Sequence, residues 1–347
     1  MTIKSSTNRG DSRLGRTLLS LTAVAALVLT GCGAPGAATE SQAKPAQTGD
    51  PFSPEVATIT GAQYRQTSAS PFLAAMDSGI AAEHGLTLKY EWAESSPAML
   101  TQVVSGNAQV GTSSLWGVVN AIQQGMDIRI VGEDYREVTD SLTVEALPNS
   151  GIKGIEDLAG KKVGVVGLNS GHDLRIKYAL KLKGLDPNGP QFVDLPFGQM
   201  GSSLETGAID AGVFVGTGLK VAKEKLKSTT VMDYGKEPYK DFPALQWVMS
   251  GQFVDKNPNA VAAFQCAVVL QGATLAQSDQ DLYQAGLKKH LGWDDAAIAA
   301  TTKVTFPAAN DVEQMQIVPD IMHELGVVPD KLDLATVTVP LPENCKK

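Results

Sequence analysis

The chain has 347 residues, of which 37 are acidic and 29 basic, for a formal net charge of −8. This acidic balance, with no basic stripe, argues against nucleic acid as a partner. No apolar run beyond the N-terminal segment is long and unbroken enough to span a membrane.

Lys4, Arg9, Arg13 and Arg16 give the chain a basic start, and residues 18–29 follow as a short apolar run. The run has the length of a signal peptide rather than of a bilayer span. Arg13 and Arg16 are not adjacent, which argues against a twin-Arg signal. The run ends Leu29-Thr30-Gly31-Cys32, which resembles the bacterial lipobox. Residues 1–31 are therefore expected to be removed and Cys32 to be diacylated as the new N-terminus. An ordinary signal peptide with an incidental Cys is the alternative. Two acyl chains suffice for stable anchoring. Residues 33–54, made mainly of Gly, Ala, Pro, Ser and Gln, read as a flexible tether. The 316 residues from Cys32 onward are enough for two lobes. Loss of residues 1–31, with their four Lys/Arg and one Asp, takes the net charge from −8 to −11. Cys266 and Cys345 are expected to pair in an exported chain, two unpaired thiols being the alternative.

The domain opens with a strand expected over 56–61 and a polar loop over 62–69 carrying Gln63, Tyr64, Arg65, Gln66 and Ser68. Ser70-Pro71 reads as the N-cap and first residue of a helix. Phe72, Leu73, Met76 and Ile80 form its buried stripe, and Gly85 stops it. Residues 86–92 alternate as a strand does. Glu94-Ser95-Ser96-Pro97 again reads as loop, cap and helix start, and the helix runs to Gly106. A strand at 109–111, a helix opened by Thr112-Ser113-Ser114 and a buried strand at 128–131 follow. Glu133, Asp134, Tyr135 and Arg136 come after them as loop.

Residues 141–145 read as a strand leaving the first lobe. The stretch 163–183, VGVVGLNSGHDLRIKYALKLK, organises the second lobe. It holds a buried strand, a Gly-rich turn over 167–171, and a helix with Leu174, Tyr178 and Leu182 at spacing four. Asn169 or Ser170 can cap that helix, and its unpaired N–H groups suit an anion. Strands at 192–195, 211–215 and 229–232 and helices at 200–206 and 219–226 follow, and 245–250 runs back as a strand. SGNAQVG at 105–111 and LETGAIDAG at 204–212 echo one another, which supports two similar lobes. From Pro258 the chain is helical: a long Ala-rich helix, then 282–291, 295–302 and 312–325, the last interrupted by Pro319. The alternation predicts an α/β fold with mostly parallel sheets, in which ligands bind at strand carboxyl ends. The expected division is signal peptide 1–31, tether 32–54, first lobe 55–145, second lobe 146–248, and return to the first lobe with C-terminal helices over 249–347.

Four stretches carry a family resemblance: GIAAEHGLTLKY (79–90), MLTQVVSGNAQVGTSS (99–114), IKGIEDLAGKKVGV (152–165) and SSLETGAIDAGVF (202–214). In order and spacing, and together with the lipobox, the chain resembles a substrate-binding lipoprotein of an ABC importer. The type is that of nitrate/sulfonate/taurine and thiamine-precursor binding proteins. The resemblance implies a two-lobed, periplasmic-binding-protein-like fold (type II), each lobe a mostly parallel sheet flanked by helices, with a hinge between. It also implies closure on a small solute and delivery to a permease with its ATPase subunits. A monomer without cofactor is expected.

The resemblance places ligand contacts at Tyr64 and Arg65, Glu94 and Ser95, Ser113 and Ser114, and Asn169 and Ser170. Thr217 joins them from the turn over 214–218, whose glycines let backbone approach a ligand, although a tight turn alone explains them. Capping alone equally explains each Ser and Asn. Arg65 either grips an anion with two donors or is a solvated loop charge. Arg175, with His172 in the first turn of its helix, opposes the helix dipole and so points to another role. A salt bridge to Asp173 or Asp210 is the plainer alternative. Glu94 and Asp134 suit a ligand with an amine, or are simply exposed. Tyr64, Trp92, Trp116, Tyr135 and Trp247 lie near strand ends, as core or as faces for a ring or cation.

His84, His172, His290 and His323 are scattered, with no HExxH or paired-Cys spacing for a metal. No GxSxG elbow, Walker loop or GxGxxG follows a strand. The expected function is therefore non-catalytic: an extracytoplasmic solute-binding component of an ABC importer, taking a small, sulfonate-like organic anion or zwitterion. An aromatic or heterocyclic ligand, or a sensor lipoprotein without transport, are the alternatives.

Overall fold

The computed structural model describes residues 53–301 and 304–345. The expected signal peptide, the lipidated Cys32 and nearly all of the tether lie outside the described residues. The described residues form ten strands: β1 Thr58–Gln63, β2 Thr87–Trp92, β3 Val110–Ser114, β4 Ile128–Arg136, β5 Leu142–Ala146, β6 Lys162–Val165, β7 Gln191–Asp194, β8 Ala211–Val215, β9 Thr229–Asp233 and β10 Pro243–Ser250. They form two five-stranded sheets, ordered β2-β1-β3-β10-β4 and β7-β6-β8-β5-β9. In the first sheet β1 runs parallel to β2 and β3, while β10 lies antiparallel between β3 and β4. The second repeats the plan, with β6 parallel to β7 and β8 and with β5 antiparallel between β8 and β9. Each lobe is thus mostly parallel, with one reversed strand, and the chain passes between the sheets over 137–141 and 234–242.

Several local expectations change because strand pairing is non-local. Thr112 and Ser113 do not open a helix; they are the end of β3, held opposite Trp247 and Gln246 of β10. Only Ser114 caps the next helix, accepting the Gly117 N–H at 3.1 Å. Residues 133–136, expected as loop, continue β4 along the same partner strand. Ser70 does not cap, because a 3-10 turn over Thr67–Ala69 starts the helical winding earlier and leaves Ser70 inside the helix Ser70–Asp77. The C-terminal break falls at Gln316, and Pro319 stands in the first turn of the helix Ile317–Glu324, where a proline costs little.

One apolar cluster runs through both lobes, from Val118 and Ile128 beside the first sheet to Val144, Val163 and Leu174 in the second. A second cluster packs the other face of the first sheet against the long helical segment Pro258–Ser278. That segment is long and apolar enough to cross a membrane, yet most of it is buried in the core. It carries a π-helical stretch, Gln265–Gly272. There Cys266 is bonded to Cys345, and the Gln265 amide donates to the carbonyls of Val131, Val339 and Pro340. The C-terminal tail is stapled to the core at this point.

The two crossings are tied to one helix, Gly171–Leu182. Arg175, 4% exposed, donates through Nη2 to Glu137 Oε1 at 3.0 Å, and through Nη1 to the other carboxylate oxygen. Its guanidinium lies 4.4 Å from the centre of the Tyr234 ring and 4.8 Å from that of Phe242. Tyr234 and Tyr239 donate their hydroxyls to the carbonyls of His172 and Arg175. The partner of Arg175 is therefore Glu137 in the first crossing, not Asp173 or Asp210. Asp173 instead closes the capping box with Ser170, and Asp210 accepts from the Lys162 N–H.

The Cys266–Cys345 bond closes a loop of 79 residues. Replacing both with Ala should cost roughly 2–4 kcal/mol through the added freedom of the unfolded chain. Urea unfolding of the non-reduced protein checks this; an unchanged midpoint would show that the tail is held by its other contacts.

Candidate functional site

The carboxyl ends of both parallel strand sets face one another. On the first sheet β1 ends at Gln63, β2 leads through Glu94 and Ser95 to the helix Ser96–Ser105, and β3 ends at the cap Ser114 of the helix Leu115–Gln123. On the second, β6 leads through a turn to the cap Ser170 of the helix Gly171–Leu182. The two helix starts meet. A Cβ on Gly171 would lie 2.5 Å from Trp116 Cδ1, so only glycine lets the indole rest on this backbone. Beside it, Asn120 Nδ2 reaches the Asn169 carbonyl at 3.5 Å.

Of the expected residues, Tyr64, Ser113 and Ser114 come together around Ser96, which the sequence reading passed over in favour of Ser95. The Tyr64 hydroxyl and Ser96 Oγ are 2.7 Å apart, and Ser96 Oγ accepts the Ser114 N–H. Burial pushes the Tyr64 phenol up, with the Ser96 hydrogen bond opposing. Ser113 Oγ and Ser114 Oγ flank Gly117, where a Cβ would come within 2.9 and 3.2 Å of them. Asn169 takes a left-handed backbone, φ 54°, so that its N–H and that of Ser170 both donate to Asp173.

The others stand apart. Arg65 is exposed and donates to the Leu291 carbonyl at 3.0 Å, at the C-terminal end of a helical stretch whose dipole attracts a cation. Its charge is engaged there, away from the serines. Glu94 and Ser95 are exposed, and Ser95 serves as a cap. Thr217 is exposed in the first turn after β8. Around it the rim of the second lobe is apolar, with Leu168 54%, Phe197 39% and Val215 39% exposed at the three strand-to-helix turns.

What the sequence reading left out of the site is a row of buried polar side chains across the same edge of the first sheet. Ala62 pairs with Gly111, which sets Gln63 beside Thr112; Thr112 pairs with Trp247, and Ser113 with Gln246. Gln246 faces Glu133 and Leu245 faces Tyr135, so Asp134 is the extra residue of a β-bulge, a feature common beside functional sites. Gln63, Asp134, Gln246 and Trp247 are fully buried. Among the described residues, neither side-chain polar atom of Gln63, Gln246 or Asp134 has a hydrogen-bond partner, nor do Ser70 Oγ, Trp116 Nε1 and Trp247 Nε1. Burial pushes the Asp134 carboxyl far above its ordinary range. The flanking carboxylates differ: Glu133 accepts from Arg136 at 2.8 and 3.0 Å, and Glu137 from Arg175. A sequence signal for this row existed, since Gln63, Asp134 and Gln246 are polar residues interrupting strand-forming runs. A buried polar group left unmet costs about 1–3 kcal/mol, so so many on one sheet edge mark a place built for something else.

With this geometry in view, the comparisons agree on a class. The architecture is that of two-lobed periplasmic binding proteins: the periplasmic aliphatic sulphonate binding protein SsuA from Escherichia coli superposes with a TM-score of 0.67 at 18% identity, covering 82% of this chain and 98% of that one. The periplasmic nitrate-binding protein NrtA from Synechocystis gives 0.64 at 17% identity, covering 82% and 86%. The chain belongs to the NMT1/THI5-like family, whose model matches residues 66–281. It is 28% identical over 224 residues to the taurine-binding periplasmic protein of Escherichia coli, covering 63% of this chain and 68% of that one. It is also 26% identical over 286 residues to the nitrate/nitrite binding protein NrtA of Synechococcus elongatus, covering 71% and 62%. The match to the corresponding Nostoc protein spans only 32% of that protein's length. These relatives are binding proteins.

Gly171→Ala should drive Trp116 off the helix start and wedge the lobes apart. Small-angle scattering checks this, with an unchanged radius of gyration as the contrary result. His172, whose Nδ1 lies 2.9 Å from the Val166 carbonyl, is held down to about 4 by burial and by the Arg175 charge. Between about 4 and the unfolded value near 6.5, the unfolded chain takes up a proton that the folded chain refuses. Stability should therefore fall as pH is lowered through that window and be insensitive to this group above it. Urea unfolding at pH 5 and pH 7 should show a smaller acid loss for His172→Gln than for the wild type.

Proposed function

We propose that this protein is the extracytoplasmic solute-binding component of an ABC importer. It is held at the outer membrane face by a lipid on Cys32, and it delivers a small organic anion or zwitterion, sulfonate-like, to a permease and its ATPase subunits. The observation that carries this reading is the edge where the two lobes meet. Buried polar groups without partners line the first sheet, and two helix starts capped by Ser114 and Ser170 stand beside them. The first-lobe start, with the hydroxyls of Ser96, Ser113 and Ser114, suits a sulfonate or carboxylate; the expected anion site at the second-lobe start is instead taken from within the chain, the Asn169 and Ser170 N–H groups donating to Asp173. Membership of the NMT1/THI5-like family and similarity to a taurine-binding periplasmic protein support it. The role is non-catalytic. The exposed rim of Leu168, Phe197 and Val215 favours a ligand with an apolar portion, and an aromatic or heterocyclic solute is the second reading.

A thermal-shift screen of the full-length protein in detergent tests the proposal, with taurine, alkyl sulfonates, nitrate, amino acids, aromatic carboxylates and pyrimidines. A ligand at a hundred times its dissociation constant adds about 2.7 kcal/mol to the folded state. Shifts confined to sulfonates and zwitterions are expected. Shifts confined to ring compounds would establish the second reading, and no shift with any compound would overturn solute binding.

A further inference from the structure

We propose that Asp134 receives the amine, or another N–H-bearing end, of the bound solute, making this a site for zwitterions in preference to bare anions. The inference rests on the solute-binding reading above and names the chemistry of that same site. It starts from five consecutive residues, Glu133-Asp134-Tyr135-Arg136-Glu137. Both glutamates are buried, and each is met by an arginine: Glu133 by Arg136 and Glu137 by Arg175. Asp134 between them is equally buried, and neither of its oxygens has a partner among the described residues. The bulge that sets it out of step with β10 interrupts the regular ladder at the carboxyl end of the strand, the end at which such sheets bind ligands.

Gln246, paired across the strands with the neighbouring Glu133, brings an unmet amide with both a donor and an acceptor. A sulfonate, carboxylate or nitrate offers acceptors only. It can accept from the Gln246 amide and from the Asp134 carboxyl that burial keeps protonated, but it leaves the amide oxygen and the other carboxyl oxygen without donors. An ammonium supplies three donors, and its charge favours the ionised carboxylate that burial alone disfavours. The arginines cited above do not do this from within the chain, because Arg136 and Arg175 are held by the glutamates and Arg65 by the Leu291 carbonyl. The donor missing at Asp134 is therefore supplied by the solute.

The test is calorimetric titration of the full-length protein in detergent at neutral pH with matched pairs that differ by one amine: taurine against ethanesulfonate, and β-alanine against propionate. Tighter binding of the amine member by tenfold or more is expected in at least one pair, and Asp134→Asn should collapse that ratio to near one. A wild type that binds both members of each pair alike, or only the members lacking the amine, overturns the role of Asp134 and leaves solute binding standing. This comparison needs no variant. A variant that keeps the amine preference also overturns the role of Asp134. No binding by any of the four compounds overturns the sulfonate-like and zwitterion reading and this inference with it.

Discussion

The arrangement of the two lobes depends on one buried ion pair. Arg175 sits in the first turns of its helix, where the dipole disfavours a cation, and it is almost wholly removed from water. Both costs are offset because Glu137 meets the guanidinium with two hydrogen bonds while Tyr234 and Phe242 pack their rings against it. Glu137 belongs to one crossing between the sheets, and Tyr234, Tyr239 and Phe242 belong to the other. A single side chain of the second lobe thus gathers both connections. Removing one member of such a pair strands an uncompensated charge, which typically costs about 3–5 kcal/mol. The tyrosine hydroxyls extend the tie to the backbone of the same helix, so the helix that begins at the site is also the helix that fixes the crossings.

That coupling gives the site its mechanical sense. The helix anchored by Arg175 opens at Ser170 and Gly171, and Gly171 is where Trp116 of the first lobe rests. Movement at the crossings is therefore felt at the helix start facing the site. The first lobe contributes the polar chemistry and the second lobe an apolar rim. Polar groups without partners reduce stability, and here they are concentrated on one sheet edge, where a solute rather than the chain can complete them. Hinge closure around a ligand is an established transition for two-lobed binding proteins.

Much of the local structure was readable in advance because it follows from local rules. Pro97 announces a helix start within a residue of where it falls, Gly106 marks that helix's end, and Ser170 caps the helix that follows it. The misfit of Arg175 with its helix dipole was visible as well. Its partner was not, because Glu137 is 38 residues away and meets it only through the tertiary fold. The same limit explains Thr112, Ser113 and residues 133–136. Their side chains favour caps and loops, but β10, arriving more than 100 residues later, claims them as strand.

By itself the sequence determined that this is an α/β chain of alternating strands and helices with polar strand-to-helix loops, since periodicity, caps and glycine stops act over a few residues. It also carried the family resemblance, and it marked the serines that gather at the loops. Only the tertiary structure decided which polar residues are left without partners. Arg65, a natural choice for gripping an anion, is committed to a helix end. Asp134, easily read as an exposed loop charge, is sealed in a bulged strand beside Gln246. The physical reason is that burial and hydrogen-bond satisfaction belong to the packed sheet as a whole: whether a carboxyl is solvated, paired or waiting for a ligand depends on strands that meet it only after folding.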